Sequence, residues 1–184
     1  MGESATTGEN RRDGDSRTEG PGEAGGGLDR RRALTIFAGV VLVNVVGAVP
    51  AILAGPDSAW FRALVKPDIY PPSWVFGVVW TLLFTLLGVA LALVWLDARD
   101  TRAGRVALGL FVAQMVLNVA WTPAFFAAEN LLAGLVVIVA LWPFVLATIV
   151  AFDRVDRRAA LLLVPYLAWV TFAAVLNYRF LALN

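Results

Sequence analysis

Two amides and two aromatic residues in one apolar stretch of the chain are spaced as if on one face of a helix. They are Gln114, Asn118, Trp121 and Phe125. Intervals of four, three and four residues bring such side chains to the same side of a helix. An amide in apolar surroundings either hydrogen-bonds to a neighbouring helix or meets a polar group of a bound molecule. The interhelical bond is the first interpretation, and a ligand pocket is the second.

Two more stripes of this kind occur elsewhere in the chain. One consists of Phe76, Trp80 and Phe84, and the other of Tyr166, Trp169, Ala173 and Asn177. Either stripe alone is explained by ordinary helix packing. Three such faces in one small chain together predict a pocket lined by aromatic rings and a few amides. A ligand for such a pocket is flat, large and mostly apolar.

The residue types that are missing exclude several kinds of chemistry. The chain has no cysteine and no histidine, which removes disulfides, thiolate catalysis and the usual ligands of zinc, copper and haem iron. No aspartate, glutamate, lysine or histidine lies in the middle of an apolar stretch, whereas ion-coupled transporters place ionisable groups there. A hydrolytic triad or carboxylate pair has no residues to use. We therefore expect no metal site, no obligatory cofactor and no assured catalytic residue.

The elements that must position these residues are five apolar stretches, each long enough to cross a bilayer as a helix. They are Ala33–Ala54, Ser73–Leu96, Arg105–Ala127, Leu131–Phe152 and Ala159–Leu183. A hydrocarbon core of about 30 Å requires about 20 apolar residues in a helix. A mean hydropathy of +0.74 and an apolar content of 59% agree with this assignment. The predicted fold class is an all-α membrane protein, a bundle of five transmembrane helices.

The amino-terminal segment differs in composition from the rest of the chain. Residues 1–29 contain seven acidic residues, three arginines and a glycine run at Gly25–Gly27. Such a composition predicts a disordered, solvated tail, and residues 30–184 then form one membrane domain. The basic residues of that domain lie at helix ends, so we do not expect nucleic-acid binding.

The distribution of basic residues predicts how the bundle is oriented in the membrane. Nine arginines lie on the side of the amino terminus: Arg30, Arg31, Arg32, Arg99, Arg102, Arg105, Arg154, Arg157 and Arg158. The opposite side has only Arg62, Lys66 and Arg179. Because cytoplasmic loops carry the excess of arginine and lysine, the amino terminus is predicted to be cytoplasmic and the carboxyl terminus to be outside.

The first loop, Gly55–Pro72, is predicted to be structured. It combines Trp60, Phe61 and Tyr70 with several prolines, which fix their own φ angle and restrict the preceding residue. Its composition fits a stiff cover over the bundle and fits an interfacial aromatic belt equally well.

Three motifs in order along the chain make it resemble a known family. The first is Lys66-Pro67-x-x-x-Pro71-Pro72-x-Trp74-x-Phe76-Gly77-x-x-Trp80-Thr81. The second is Asn118-x-x-Trp121 with Phe125-Phe126, and the third runs from Pro165 to Ala173 with Leu176-Asn177. Together they resemble the TspO/MBR family, which includes the tryptophan-rich sensory proteins and the mitochondrial translocator protein. The resemblance extends from Ala33 to Asn184.

This resemblance implies a homodimer of five-helix subunits that binds porphyrins such as protoporphyrin IX under the first loop. Trp80 and Asn118 match positions that hydrogen-bond a ligand. The positions matching the cavity wall are Phe76, Phe84, Trp121 and Ala173, and Phe125 joins them on the face of its helix. Trp60 and Trp169 match tryptophans tied to porphyrin handling. The sterol-recognition pattern of animal members is not matched, because Tyr178 directly precedes Arg179.

Three functions follow as hypotheses. The first is a membrane receptor or carrier for a tetrapyrrole, with a sensory or transport role. The alternative is an enzyme that degrades porphyrin with light and oxygen, for which Trp60 and Trp169 are the candidate residues. A second alternative is a signalling subunit read by a partner protein. Binding is favoured over turnover because no acid, base or metal group is available. Small residues suggested for a dimer face are Gly104, Ala107, Ala113 and Ala120.

Overall fold

The computed structural model describes residues 23–53 and 55–184, with side chains from Asp29 onward, and shows helices and no strand within those ranges. The helices are α1 (Glu23–Leu53), α2 (Ala59–Ala63), α3 (Ser73–Ala98), α4 (Arg102–Thr122), α5 (Leu131–Asp153) and α6 (Arg157–Leu183). A π-helical turn, Pro123–Ala127, extends α4. All but α2 are long and apolar enough to cross a membrane. The predicted five-helix membrane fold is confirmed.

Helices α4, α5 and α6 begin where the sequence offers a polar capping side chain. Thr101 Oγ1 accepts a hydrogen bond from the Gly104 amide at 3.0 Å, and Asn130 Oδ1 accepts one from Ala133 at 2.9 Å. Asp156 Oδ1 accepts one from Arg158 at 2.7 Å. Each cap satisfies an amide that has no partner in the first turn of a helix. The short loops between the apolar stretches therefore end at defined residues.

The first helix starts earlier than the apolar pattern indicates. It begins at Glu23, so residues 23–29, which the sequence assigns to the tail, are helical. Residues 1–22 lie outside the described residues, and the division of the chain at Arg30 stays a prediction. Within the membrane domain, Arg32 and Asp97 lie 3.7 Å apart. This ion pair places the start of α1 and the end of α3 at one end of the bundle, here called the arginine end.

The helices form an antiparallel bundle in which α1 packs on α3, α4 on α5, and α5 on α6. Helix α3 packs more extensively on α6 than on α4, its sequence neighbour. Large side chains such as Leu87, Phe152 and Leu163 are completely buried between the helices. The outward faces carry exposed apolar side chains, as a lipid environment requires. These include Phe37, Val78, Val112, Val136 and Leu161.

Two of the residues suggested for a dimer face are unavailable for that purpose. Gly104 lies against the backbone of Ala98, and Ala107 is completely buried inside the subunit. Ala113 and Ala120 are half-buried. The small size of Gly104 and Ala107 is used instead for close approach within the subunit.

Candidate functional site

A cavity of about 370 Å³ lies at the end of the bundle opposite the arginine end. Its wall is formed by side chains from the first loop and from α1, α3, α4, the π-helical turn, α5 and α6. Eight of the nine predicted site residues line it: Phe76, Trp80, Phe84, Asn118, Trp121, Phe125, Trp169 and Ala173. No lysine, arginine, aspartate or glutamate is among the described residues that line it. The cavity therefore offers ring faces, small apolar surfaces and a few neutral polar groups.

Trp60, the ninth predicted residue, lies one layer behind the cavity wall. It belongs to the short loop helix α2, and its ring centroid lies 5.9 Å from that of Phe125 and 6.5 Å from that of Phe61. Both of those phenylalanines do line the cavity. Trp60 thus supports the wall, and its assignment to ligand handling stays a prediction.

Trp80 forms the centre of the wall that α3 and α6 contribute. Its ring centroid lies 5.2 Å from that of Phe84 on the same helix and 6.5 Å from that of Trp169, with the two indoles perpendicular. Phe76 meets Trp169 edge-on at 5.9 Å. The Trp169 indole nitrogen is buried without a hydrogen-bond partner among the described residues. Trp169 therefore contributes ring surface to this wall, and its N–H is enclosed by the protein.

Asn118 joins α4 to α6 at the deep side of the cavity. Its Nδ2 donates a hydrogen bond of 2.8 Å to the hydroxyl of Tyr166, which is completely buried. The interhelical bond that was the first interpretation of this amide is therefore present, and Asn118 also lines the cavity. The interpretation of Asn118 as a ligand-binding group stays a prediction, for which the second amide hydrogen and the amide oxygen are available.

A second amide bridge fixes Trp121. Asn177 Oδ1 accepts a hydrogen bond of 3.0 Å from the Trp121 indole nitrogen, and Asn177 Nδ2 donates one of 3.1 Å to the Leu131 carbonyl. The polar atom of Trp121 is thereby used within the protein, so its contribution to the cavity is its ring face. That ring stacks on Phe125 with centroids 5.3 Å apart.

The π-helical turn after Thr122 was not predicted. The Ala128 amide donates to the Pro123 carbonyl at 2.9 Å, five residues back, so one extra residue is accommodated in the turn. Adjacent Phe125 and Phe126 consequently both face the first loop, with their centroids 4.7 Å apart. Pro123 beside the Phe-Phe pair is the only sequence signal for this irregularity.

The first loop is a structured cover, here called the lid (Gly55–Pro72). Phe61 inserts between α4 and α6, with its ring centroid 5.1 Å from Phe126 and 5.7 Å from Phe180. Tyr70 packs on Phe180 at 5.7 Å and on Phe76 at 5.4 Å. The prediction of a structured loop is confirmed, and its rings point into the bundle rather than along a membrane interface.

Two polar interactions hold the lid in this position. Lys66 Nζ donates to the carbonyls of Phe61 and Leu64 and lies 4.0 Å from the centre of the Phe61 ring. Desolvation lowers the pKa of this ammonium group from its usual value. At the end of α6, Asn184 Oδ1 accepts a hydrogen bond of 2.8 Å from the Val65 amide, and its Nδ2 donates to the Val65 carbonyl at 3.3 Å. The lid is therefore bonded to α6.

Sequence reasoning missed the side of the cavity formed by α1. Gly47, Ala48 and Ala51 line it, and Gly55 continues the same row into the lid. Intervals of four between Gly47, Ala51 and Gly55 are the signal that could have identified this face. Gln114, by contrast, belongs to the predicted stripe but does not line the cavity.

The described residues include no group of three histidine, cysteine, aspartate or glutamate side chains that could hold a metal ion. Any ligand of this cavity would be held by packing, stacking and hydrogen bonds.

Comparison with known proteins shows which family this chain belongs to. The model of the TspO/MBR family matches residues 39–183. The chain belongs to the TspO/MBR family. It is 42% identical over 155 residues to the tryptophan-rich protein TspO of Chlorobaculum tepidum, covering 84% of this chain and 98% of that relative. It is 39% identical over 137 residues to the tryptophan-rich sensory protein of Cereibacter sphaeroides, covering 74% and 84% of the two chains.

Similarity within the TspO/MBR family extends to animals. The translocator protein of Homo sapiens is 41% identical over 125 residues, which cover 67% of this chain and 74% of that relative. Membership in this family, together with the five membrane-spanning helices, identifies the chain as an integral membrane protein.

Gln114 generates a prediction about stability. Its side chain is completely buried, and both its Oε1 and its Nε2 lack a hydrogen-bond partner among the described residues. Replacing an unpaired buried amide by an apolar group of similar shape removes a desolvation penalty of about 1–3 kcal/mol. We expect Gln114→Met to raise the unfolding temperature of the purified protein in detergent micelles.

Asn177→Leu is the matched control, because that amide is bonded twice and its loss leaves the Trp121 N–H and the Leu131 carbonyl unpaired. We expect it to lower the unfolding temperature. A decrease for both variants would show that the Gln114 amide has a stabilising partner.

Proposed function

We propose that the cavity binds a tetrapyrrole of the protoporphyrin IX kind and that the protein acts as its membrane receptor or carrier. The observation that carries this proposal is the lining of the cavity, in which indole and phenyl rings from α3, α4 and α6 converge and no described residue is charged. Flat apolar molecules are the ligands that such a wall favours. A sensory or transport role is supported by the names of the relatives, a tryptophan-rich sensory protein and a translocator protein.

The expected free energy of binding supports micromolar affinity for a tetrapyrrole. Micromolar binding corresponds to about −8.2 kcal/mol. An aromatic contact contributes about 0.5–1.5 kcal/mol beyond the burial of its area. Phe76, Trp80, Trp121 and Trp169 all present rings to the cavity. Their contacts, added to the burial of a largely apolar macrocycle, are of the size required.

Hydrogen bonds would orient the ligand. Asn118 donates only one of its amide hydrogens within the described residues, which leaves other polar capacity for a ligand. No hydrogen bond of the Trp80 indole nitrogen is found among the described residues, and this donor is at the same wall. These two side chains are those that the family resemblance assigns to ligand binding.

Porphyrin titration tests the proposal. Added protoporphyrin IX should quench the tryptophan fluorescence of the protein in lipid nanodiscs. We expect Trp80→Ala and Asn118→Ala each to weaken binding by about tenfold, the equivalent of about 1.4 kcal/mol. Trp95→Ala is the matched control, since Trp95 is partly exposed near the arginine end, far along α3 from the cavity. Parent-like affinity in both cavity variants would place the porphyrin elsewhere.

Light-dependent degradation of the porphyrin is the second candidate function. The perpendicular contact between Trp80 and Trp169, 6.5 Å between centroids, favours it because adjacent indoles can exchange an electron with a photo-excited ligand. Illumination of the complex in air should then give a new absorbing product, and Trp169→Phe should abolish it. A receptor or carrier would return the porphyrin unchanged in the same experiment.

We propose that the arginine end faces the cytoplasm, which would put the cavity near the outer surface of the membrane. The excess of arginines at that end supports this orientation. A reporter that is active only in the cytoplasm should be inactive when fused after Asn184, and activity there would reverse the assignment.

A homodimer is proposed from family membership, and cross-linking in native membranes would detect it.

A further inference from the structure

Helices α1 and α3 are in backbone contact over the half of the membrane nearer the arginine end. A Cβ atom added to Gly39 would lie 2.6 Å from the Gly88 carbonyl oxygen, and one added to Gly88 would lie 2.5 Å from the Val40 Cα. Closer to the cavity, Asn44 Nδ2 donates to Thr85 Oγ1 at 3.2 Å. Gly47 then lies directly against the ring of Phe84. No ligand can pass between the helices along this region.

Beyond Gly47 the two helices part. Continuing the antiparallel register of these contacts would set Ala51 opposite Trp80 and Gly55 opposite Phe76. Instead, all four residues line the cavity between the helices. A Cβ atom added to Gly77 would meet nothing within 4 Å. Pro50, which cannot donate a backbone hydrogen bond, lies in α1 where the separation begins.

The outer surface of α3 is hollowed beside this gap. A second hollow on the outside of α3 is lined by Gly77, Val78, Thr81, Leu82 and Thr85. Gly77 and Thr81 line both this hollow and the main cavity. The surrounding surface is apolar and exposed, with Val78 59% and Leu82 57% exposed on α3 and Ile52 79% exposed on α1. The two spaces thus border the same glycine and threonine of α3.

The lid side of the cavity is closed by comparison. Phe61 and Tyr70 are packed against the rings of α6 and the π-helical turn. The lid is also joined to α6 by the paired hydrogen bonds between Val65 and Asn184. Opening this side requires the loss of several aromatic contacts and of the hydrogen bonds. Opening the α1 side requires only movement of lipid chains and of apolar side chains at the rim.

We propose that the gap between α1 and α3 at Gly77 and Thr81 is a lateral portal through which a ligand dissolved in the bilayer enters the cavity. The occupants it admits are flat, lipid-soluble molecules. The hydroxyl of Thr81 donates to the Gly77 carbonyl at 2.8 Å, so the portal presents no unpaired hydroxyl hydrogen to an apolar ligand. This inference rests on the proposed function in that the cavity is taken to be a binding site.

Binding kinetics of protoporphyrin IX in lipid nanodiscs test the portal. In Gly77→Leu the side chain projects into open space, so the fold is retained while the portal is narrowed. A blocked gate raises the barrier for entry and exit alike, so we expect kon and koff both to fall by about tenfold. Thr81→Leu should act in the same direction. An increase in koff with an unchanged kon would overturn the portal.

Gly109→Leu is the matched control, because a Cβ atom at Gly109 on α4 also meets nothing within 4 Å. Its rate constants should equal those of the parent.

A second experiment locks the lid. The chain has no cysteine, so Val65→Cys with Asn184→Cys provides a unique pair for a short thiol cross-linker. Entry should be unchanged after cross-linking, and slower entry would assign the route to the lid instead.

A third arm does not depend on porphyrin. Ala173→Cys places a thiol in the cavity wall, where a pyrene maleimide dissolved in the bilayer should label it. We expect Gly77→Leu to slow this labelling by about tenfold and Gly109→Leu to leave it unchanged. If the parent binds no porphyrin but labelling is slowed, the proposed ligand is wrong and the portal stands. If the parent binds porphyrin and neither rate depends on Gly77, the portal is wrong and the proposed ligand stands.

Discussion

The structure of the cavity depends on one constraint, which is that polar groups inside a membrane must find partners within the protein. Two amides meet this constraint by joining helices. Asn118 bonds to Tyr166, and Asn177 bonds to both Trp121 and Leu131. These bonds fix α4 and the start of α5 against α6 at the level of the cavity. The rings that line the cavity therefore have fixed orientations, and a ligand does not have to order them on binding.

Much of this arrangement could be predicted from the sequence, because the relevant signals are local. The five helices follow from long apolar runs, and their beginnings from capping residues such as Thr101 and Asn130. The row of Phe76, Trp80 and Phe84 follows from an interval of four residues, which one regular helix brings to one face. The eight predicted residues that line the cavity all belong to such stripes, and the family resemblance singled out all of them except Phe125.

What could not be predicted depends on irregular backbone or on contacts between distant segments. The π-helical turn changes the register after Thr122 and brings both Phe125 and Phe126 to the lid. The position of Phe61 depends on where a proline-rich loop meets α6, and no periodicity encodes that. The α1 side of the cavity is formed by Gly47, Ala48 and Ala51, whose contribution is the space they leave. Residues that act by being small give only a weak signal in a single sequence.

The two sides of the cavity have different physical characters, and this difference bears on function. The lid side combines stacked rings, a lysine that caps the loop helix and a hydrogen-bonded asparagine at the end of α6. The α1 side consists of small residues. At Gly77, on the facing helix α3, no described side chain fills the space between the two helices. In a bilayer, lipid chains are the neighbours of that side, and an apolar ligand is already concentrated among them.

A lid that is hydrogen-bonded to the end of α6 and a lateral side formed by small residues support the proposed exchange of ligand with the membrane rather than with water. A small hydrophilic ion would gain nothing from such a route, because none of the described residues of the cavity wall carries a charge to compensate its loss of hydration. A macrocycle with an apolar face and polar substituents at its edge is different. Its face would remain in apolar surroundings throughout, while Asn118 and the Trp80 indole N–H are the groups proposed to meet its polar edge.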